Sequence, residues 1–217
     1  MTKNIFTYII LFLFAIGALY YFSSKKPMTP EPTSTPIPSP TPSSSPVPIS
    51  TEKTVTFKTT KGDITLELFT DKMPVTSGNF IKLVKEGYYT STKFHRVIAN
   101  FMIQGGDSNT KGDDTGTYGM GGPGYNIQDE FVAGLSNIRG TISMANTGAP
   151  NSGGSQFFIN LVDNTGLDFD KPPMTSSHPV FGKVIAGMDV VDAIAKVQTN
   201  SAGLPSEAIV IQGVEVK

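Results

Sequence analysis

Proline and glycine occupy different stretches of this 217-residue chain, and that separation decides where a fold can form. Proline crowds the region before residue 50, while glycine crowds the region between 105 and 166. Pro27 to Ser50 consists mainly of Pro, Ser and Thr. Such a composition buries no core and favours extended polyproline II over helix or sheet. Residues 27–53 are therefore expected to form a flexible linker, its Pro27–Ser50 part reaching up to roughly 75 Å at about 3.1 Å per residue. A globular domain is expected over residues 54–217.

Ahead of the linker, the 18 residues Ile5–Phe22 carry no charge and are flanked by Lys3 on one side and Lys25-Lys26 on the other. As a helix the run measures about 27 Å, the short end of a bilayer span. Residues 1–26 are read as a signal-anchor segment that holds the chain to a membrane through residues 5–22. Tyr20 and Tyr21 stand near its far end, where interfacial aromatics are common. A cleaved signal peptide, with the domain secreted, is the alternative. The flanking lysines barely discriminate orientation. A long stalk suits a crowded envelope, so the domain is expected to be extracytoplasmic.

From Thr54 the pattern is globular. Val55 and Phe57, then Ile64, Leu66 and Leu68, alternate with polar residues around a turn at Lys61-Gly62-Asp63, which reads as a β-hairpin. Pro74 opens a helix with Phe80, Leu83 and Val84 on one face, and Gly87 is placed to end it. Short strands are expected near 93–98, 101–104, 138–144, 156–161 and 179–185. A helix from about Met188 to Val197 and a last strand, Ala208 to Val216, follow. Many short strands and two helices imply a mainly β domain with an antiparallel sheet, closed or nearly so.

Composition removes several kinds of chemistry. Cysteine is absent, so disulfides, thiol nucleophiles and thiolate metal ligands are excluded. The 17 basic and 18 acidic residues nearly cancel, so nothing points to nucleic acid. Gly119-x-Gly121-x-x-Gly124 matches a dinucleotide fingerprint in letters, yet no apolar strand precedes it and no helix follows. These glycines read instead as a loop that folds back sharply or approaches a peptide. Asp107-x-Asn109-x-Lys111 begins like a calcium loop, but a lysine takes a ligand position and Tyr118 stands where a bidentate glutamate is needed. His95 and His178 are the only imidazoles, and no Gly-x-Ser-x-Gly elbow exists. No cofactor and no metal are expected. With no heptad or long apolar surface stretch, a monomer is the expected state.

Two blocks carry the most specific pattern. The first is Phe94-His95-Arg96-Val97-Ile98-Ala99-Asn100-Phe101-Met102-Ile103-Gln104-Gly105-Gly106-Asp107. The second runs from Met144-Ala145-Asn146 to Ser155-Gln156-Phe157-Phe158-Ile159-Asn160. In this order they resemble the cyclophilin family of peptidyl-prolyl isomerases, in a bacterial-like form, over roughly Thr54 to Lys217. The resemblance implies a closed eight-stranded antiparallel β-barrel capped by two α-helices. It implies isomerisation of X-Pro bonds in proline-containing polypeptides, with Arg96, Phe101, Gln104 and His178 as catalytic residues. His95, Met102, Ala145, Asn146, Gln156, Phe158 and Leu167 would bind the substrate.

The chemistry suits those residue types. An X-Pro amide turns over a barrier of about 18–20 kcal/mol set by resonance. A catalyst needs an apolar slot for the ring and a donor for the nitrogen lone pair freed as resonance breaks; Arg96 is that donor in this reading. Phe157 and Phe158 must face opposite sides of a strand, so one fills the core and the other reaches the groove. Gly166-Leu167-Asp168 lacks the aromatic residue the family often places before the leucine, which thins one wall. The insert Phe169 to Ser177 lengthens the loop before His178. A catalytically weak proline-peptide binding module is the alternative function.

Overall fold

Val55 and Phe57 face Leu66 and Ile64 across the first hairpin, and all four are fully buried. The computed structural model describes residues 53–174 and 176–217. The anchor expected at 1–26 and the linker expected at 27–53 lie almost wholly outside the described residues, among which no helix is long and apolar enough to cross a membrane. Strands β1 (Thr54–Thr59) and β2 (Gly62–Leu68) pair so that Thr59 meets Gly62. The turn is thus Thr60-Lys61, one residue earlier than expected. Helix α1 (Pro74–Lys85) follows, then β3 (Arg96–Ile98), β4 (Met102–Gly105), β5 (Thr141–Met144), β6 (Phe157–Asn160) and β7 (Val180–Ala186). Helix α2 (Met188–Ile194) precedes β8 (Ile211–Val216).

The eight strands form one sheet in the order β3-β4-β6-β5-β7-β2-β1-β8, with every neighbour antiparallel. Its outer strands, β3 and β8, do not share a ladder. The segments leading into them do the joining: Lys93 bridges Val210, and Ser91 and Phe94 donate to the carbonyls of Ile211 and Ile209 at 2.8 and 2.9 Å. The expected closed barrel is thus a half-barrel whose seam is crossed by a short bridge. A three-residue β3 is too short to carry a full ladder around the curve.

Helix α1 lacks a side-chain cap of its own. Its orphan amides are met from far along the chain, where Glu130 accepts from Val75 and Thr76 at 3.2 and 2.9 Å, a favourable carboxylate at a helix start. Gly87, at φ +67°, ends it: Gly87 N–H reaches the Val84 carbonyl and Tyr88 N–H the Leu83 carbonyl, both at 2.9 Å. That pair of bonds is a Schellman stop, and the left-handed turn is why glycine stands there. The helix packs on β7 and β8, and α2 on β2. Between them lies an aromatic core in which Phe57 stacks on Phe157 at 5.2 Å and Phe80 meets both edge-on at 6.0 and 5.7 Å. Each such ring contributes about 1.5–3 kcal/mol by leaving water, before the edge-to-face contacts are added.

Candidate active site

The second face of the β3-β4-β6 sheet carries the polar and apolar groups that the core does not use. Ile103, Phe157 and Ile159 belong to the core, so by alternation Met102, Gln104 and Phe158 point the other way. Register sets the neighbours: Arg96 stands opposite Gln104, and Gln104 opposite Phe158. Phe157 and Phe158 divide as the alternation requires. Phe157 is locked in the aromatic core, whereas Phe158 meets His178 edge-on at 5.2 Å.

Arg96 is half-buried, and among the described residues its guanidinium makes one hydrogen bond, from Nη1 to Gln104 Oε1 at 3.3 Å. No carboxylate comes within ion-pair distance of it there. Gln104 Nε2 donates to Gln156 Oε1 at 3.0 Å, and Gln156 Nε2 donates to the carbonyls of Gly119 and Gly121 at 2.9 and 2.8 Å. A polar relay thus runs from the glycine loop to the guanidinium, with both amides oriented by their partners. The loop itself wraps a carboxylate. Gly119 N–H donates to Asp107, and a Cβ on Gly121 would fall 2.0 Å from Asp107 Oδ1, so no other residue fits there. The letters that resembled a calcium loop instead start a 3-10 turn, with Asp107 accepting from Asn109 N–H at 2.8 Å.

His178 is held in one tautomer. Its Nδ1 lies 3.1 Å from the Met144 carbonyl, which can only accept, so Nδ1 carries the proton and Nε2 accepts from the Ser176 hydroxyl at 2.7 Å. Burial pushes its pKa below the usual imidazole value, and the Met144 carbonyl opposes only part of that shift. The ring is therefore neutral near pH 7 and offers an apolar edge beside Phe158. Leu167, half-buried in a 3-10 turn, takes the His178 amide on its carbonyl at 3.0 Å. Phe101, also half-buried, follows a tight turn at Asn100 (φ +58°), and its carbonyl accepts from Asn164 at 2.8 Å.

A groove of about 730 Å³ runs beside this face, bordered by Gln104, Gly121, Tyr125, Ala145, Asn146 and Gln156. Ala145 N–H bonds the Gln156 carbonyl at 2.9 Å, and Asn146 Nδ2 donates to the Ser177 carbonyl at 2.7 Å. Arg96, Phe158 and His178 are not among its walls, so Gln104 is the link between the groove and the guanidinium.

His95, expected among the substrate contacts, lies apart from the groove described above. Just ahead of β3, the His95 ring lines a separate cavity of about 200 Å³ with Lys93, Asp113 and Tyr118. It is buried, neither ring nitrogen meets a hydrogen-bond partner among the described residues, and burial lowers its pKa.

A buried polar cluster beneath the site was not anticipated. Asp168 is 2% exposed and accepts from Ser136 Oγ, Asn137 N and Nδ2, and Lys171 Nζ at 2.5–2.9 Å. Burial raises its pKa, but Lys171, Ser136 and Asn137 together outweigh that and hold it below the usual carboxylate value. Asn137 extends the cluster to the His178 carbonyl at 3.2 Å and to Ser143 at 2.7 Å. Its only signal in the sequence was an aspartate following the pocket leucine.

The model of the cyclophilin type peptidyl-prolyl cis-trans isomerase/CLD family matches residues 54–216. The chain belongs to the cyclophilin-type peptidyl-prolyl cis-trans isomerases. It is similar to a peptidyl-prolyl cis-trans isomerase of Acinetobacter baylyi, 44% identical over 167 residues that cover 75% of this chain and 85% of that one. It is 43% identical to peptidyl-prolyl cis-trans isomerase B of Escherichia coli, again over 75% of this chain and 98% of the relative. A crystal structure of a Cryptosporidium parvum cyclophilin-type isomerase, solved in the presence of the dipeptide Ala-Pro, superposes with a TM-score of 0.67 at 31% identity, covering 76% of this chain and 99% of that one. This cyclophilin is an enzyme of the isomerase class.

Proposed function

We propose that the domain accelerates X-Pro rotation by stabilising the twisted amide with Arg96. The proline ring rests against Phe101, Met102, Phe158, Leu167 and the neutral His178, while Ala145, Asn146 and Gln156 hold the flanking peptide. One observation carries this reading: a half-buried guanidinium on the sheet face it shares with Met102 and Phe158, anchored by Gln104 and without a carboxylate counter-charge among the described residues. Its remaining donors are free to meet the prolyl nitrogen, whose lone pair becomes available only as resonance is lost. A bond stronger in the transition state than in the ground state raises the rate. Proton transfer and covalent attack are not needed. Gln104 acts as a positioning residue, passing the rigidity of Gln156 to the guanidinium. An Arg96→Ala variant assayed on a proline tetrapeptide tests the assignment, and undiminished turnover would sink it.

The reading extends to location. A domain carried on the 27–53 linker from an anchor at residues 5–22 would act on exported polypeptides as they fold, outside the cytoplasm. Protease treatment of intact cells, with N-terminal sequencing of the released fragment, tests this. A domain protected until lysis contradicts the orientation, and a mature product starting after residue 22 contradicts retention of the anchor.

A further inference from the structure

Gly166 leaves a gap beside Leu167, and another part of the chain stands at it. A Cβ on Gly166 would lie 3.6 Å from Pro173 Cδ, an ordinary contact distance, so the pyrrolidine ring sits against the bare backbone. Pro173 belongs to the insert between Phe169 and Ser177, and that insert is fastened at several points. Its neck is closed by the His178 amide on the Leu167 carbonyl at 3.0 Å. Lys171 is tied to the buried Asp168 at 2.7 Å, and Phe169 stacks on Phe131 with ring centres 5.2 Å apart. At the other end Asn146, itself a wall of the groove, holds the Ser177 carbonyl at 2.7 Å. Between these ties the loop displays Met174 to solvent, with 63% of its surface exposed. A long apolar side chain left in water, one residue after the proline that sits at Gly166, is an available contact, and the unbranched thioether adapts to varied partners.

The geometry points to this loop as an added wall of the substrate site, in which Pro173 and Met174 select an apolar side chain directly after the proline. The inference rests on the isomerase reading of the groove. With the preceding residues along Ala145, Asn146 and Gln156, and the ring against Phe158 and His178, the chain leaves over Leu167 and meets Pro173 and Met174. The Lys171–Asp168 pair is internally satisfied, and the exposed Asp170 on the same loop would repel an acidic residue rather than reward it.

The test uses two series of proline tetrapeptides, one varying the residue after proline (Phe, Leu, Gly, Asp) and one varying the residue before it. Wild type, Met174→Ser, Met174→Leu and Pro173→Ala are compared by NMR exchange spectroscopy. Wild type is expected to prefer Phe or Leu over Gly by about three- to tenfold in kcat/KM, the scale of a partly exposed apolar contact. Met174→Ser should cut that preference below about twofold while leaving the Gly peptide unchanged, and Met174→Leu should keep it. A wild type without preference overturns the inference. So does a preference that survives both Met174→Ser and Pro173→Ala, or one that shifts in the series before proline. If wild type accelerates none of the peptides, the isomerase reading itself fails.

Discussion

Replacing Arg96 by alanine removes the guanidinium and leaves Gln104 Oε1 without its Arg96 partner. A charge-assisted hydrogen bond contributes about 1.5–3 kcal/mol. At about 1.4 kcal/mol per decade, its loss from the transition state alone predicts a fall of roughly one to two decades in kcat/KM. The loss should appear in kcat rather than KM, because the bond forms only as the amide twists. Arg96→Lys keeps the charge but replaces a planar fork with a point donor, so it should recover only part of the rate. Gln104→Ala, which frees the guanidinium to wander, should cost less than Arg96→Ala. Arg96 is half-buried and has a single 3.3 Å bond, so the unfolding midpoint should move by no more than about 4 °C. Exchange spectroscopy on a tetrapeptide gives the rates, and calorimetry shows whether the variant is folded. A folded Arg96→Ala protein retaining activity within threefold would refute the argument, since among the described residues no other cation stands in the relay.

Three further outcomes follow from the same geometry. Phe157→Ala should cost about 3–5 kcal/mol of stability by opening a cavity against Phe57 and Phe80, while Phe158→Ala should cost less stability and more kcat/KM; urea titrations beside rate measurements separate the two, and equal effects would contradict their opposite facing. Asp168→Ala strands the buried donors of Asn137 and should lower the thermal midpoint by about 6–12 °C, roughly 3 kcal/mol, on calorimetry. Acidification should also destabilise the domain. Burial lowers the pKa of both His95 and His178, so below about pH 6.5 the unfolded chain binds protons that the folded one refuses. Their contribution is complete above that value and is lost as pH falls toward the folded pKa values. A urea midpoint that is the same at pH 5.5 and pH 7.5 would contradict the shifts. Asp168, whose pKa is depressed, loses its contribution only at lower pH, as it falls through the carboxylate range.

What could be read from the residues was whatever depends on near neighbours. Val55, Phe57, Ile64 and Leu66 announce a hairpin by alternation alone, and Pro74 with Gly87 brackets a helix. The division of Phe157 from Phe158 needed nothing beyond the pleat. What escaped depends on distant segments meeting. Glu130 caps a helix 54 residues away, as its bond to Thr76 shows. His95 sits beside the arginine in the chain but lines a different cavity, with Asp113 and Tyr118 brought to it from later in the chain. Asp168 looked like the tail of a motif, and only the fold brings Ser136 and Asn137 to it. Gly166 read as a loss until the insert supplied Pro173 at the same spot.

The amides of Lys53 and Thr54 both donate to the Lys217 carbonyl, at 3.2 and 3.0 Å, and Lys217 returns a bond to Thr54 at 2.8 Å. The two ends of the folded unit are thus stitched side by side on adjacent strands. Tension applied through Lys53 would be borne in shear by β1, which is hydrogen-bonded to β2 on one edge and β8 on the other. It would not peel the sheet open from a free margin. The same adjacency means a short peptide splice could join the termini, and new ends could be cut in an exposed loop such as Lys171–Met174 without disturbing the aromatic centre.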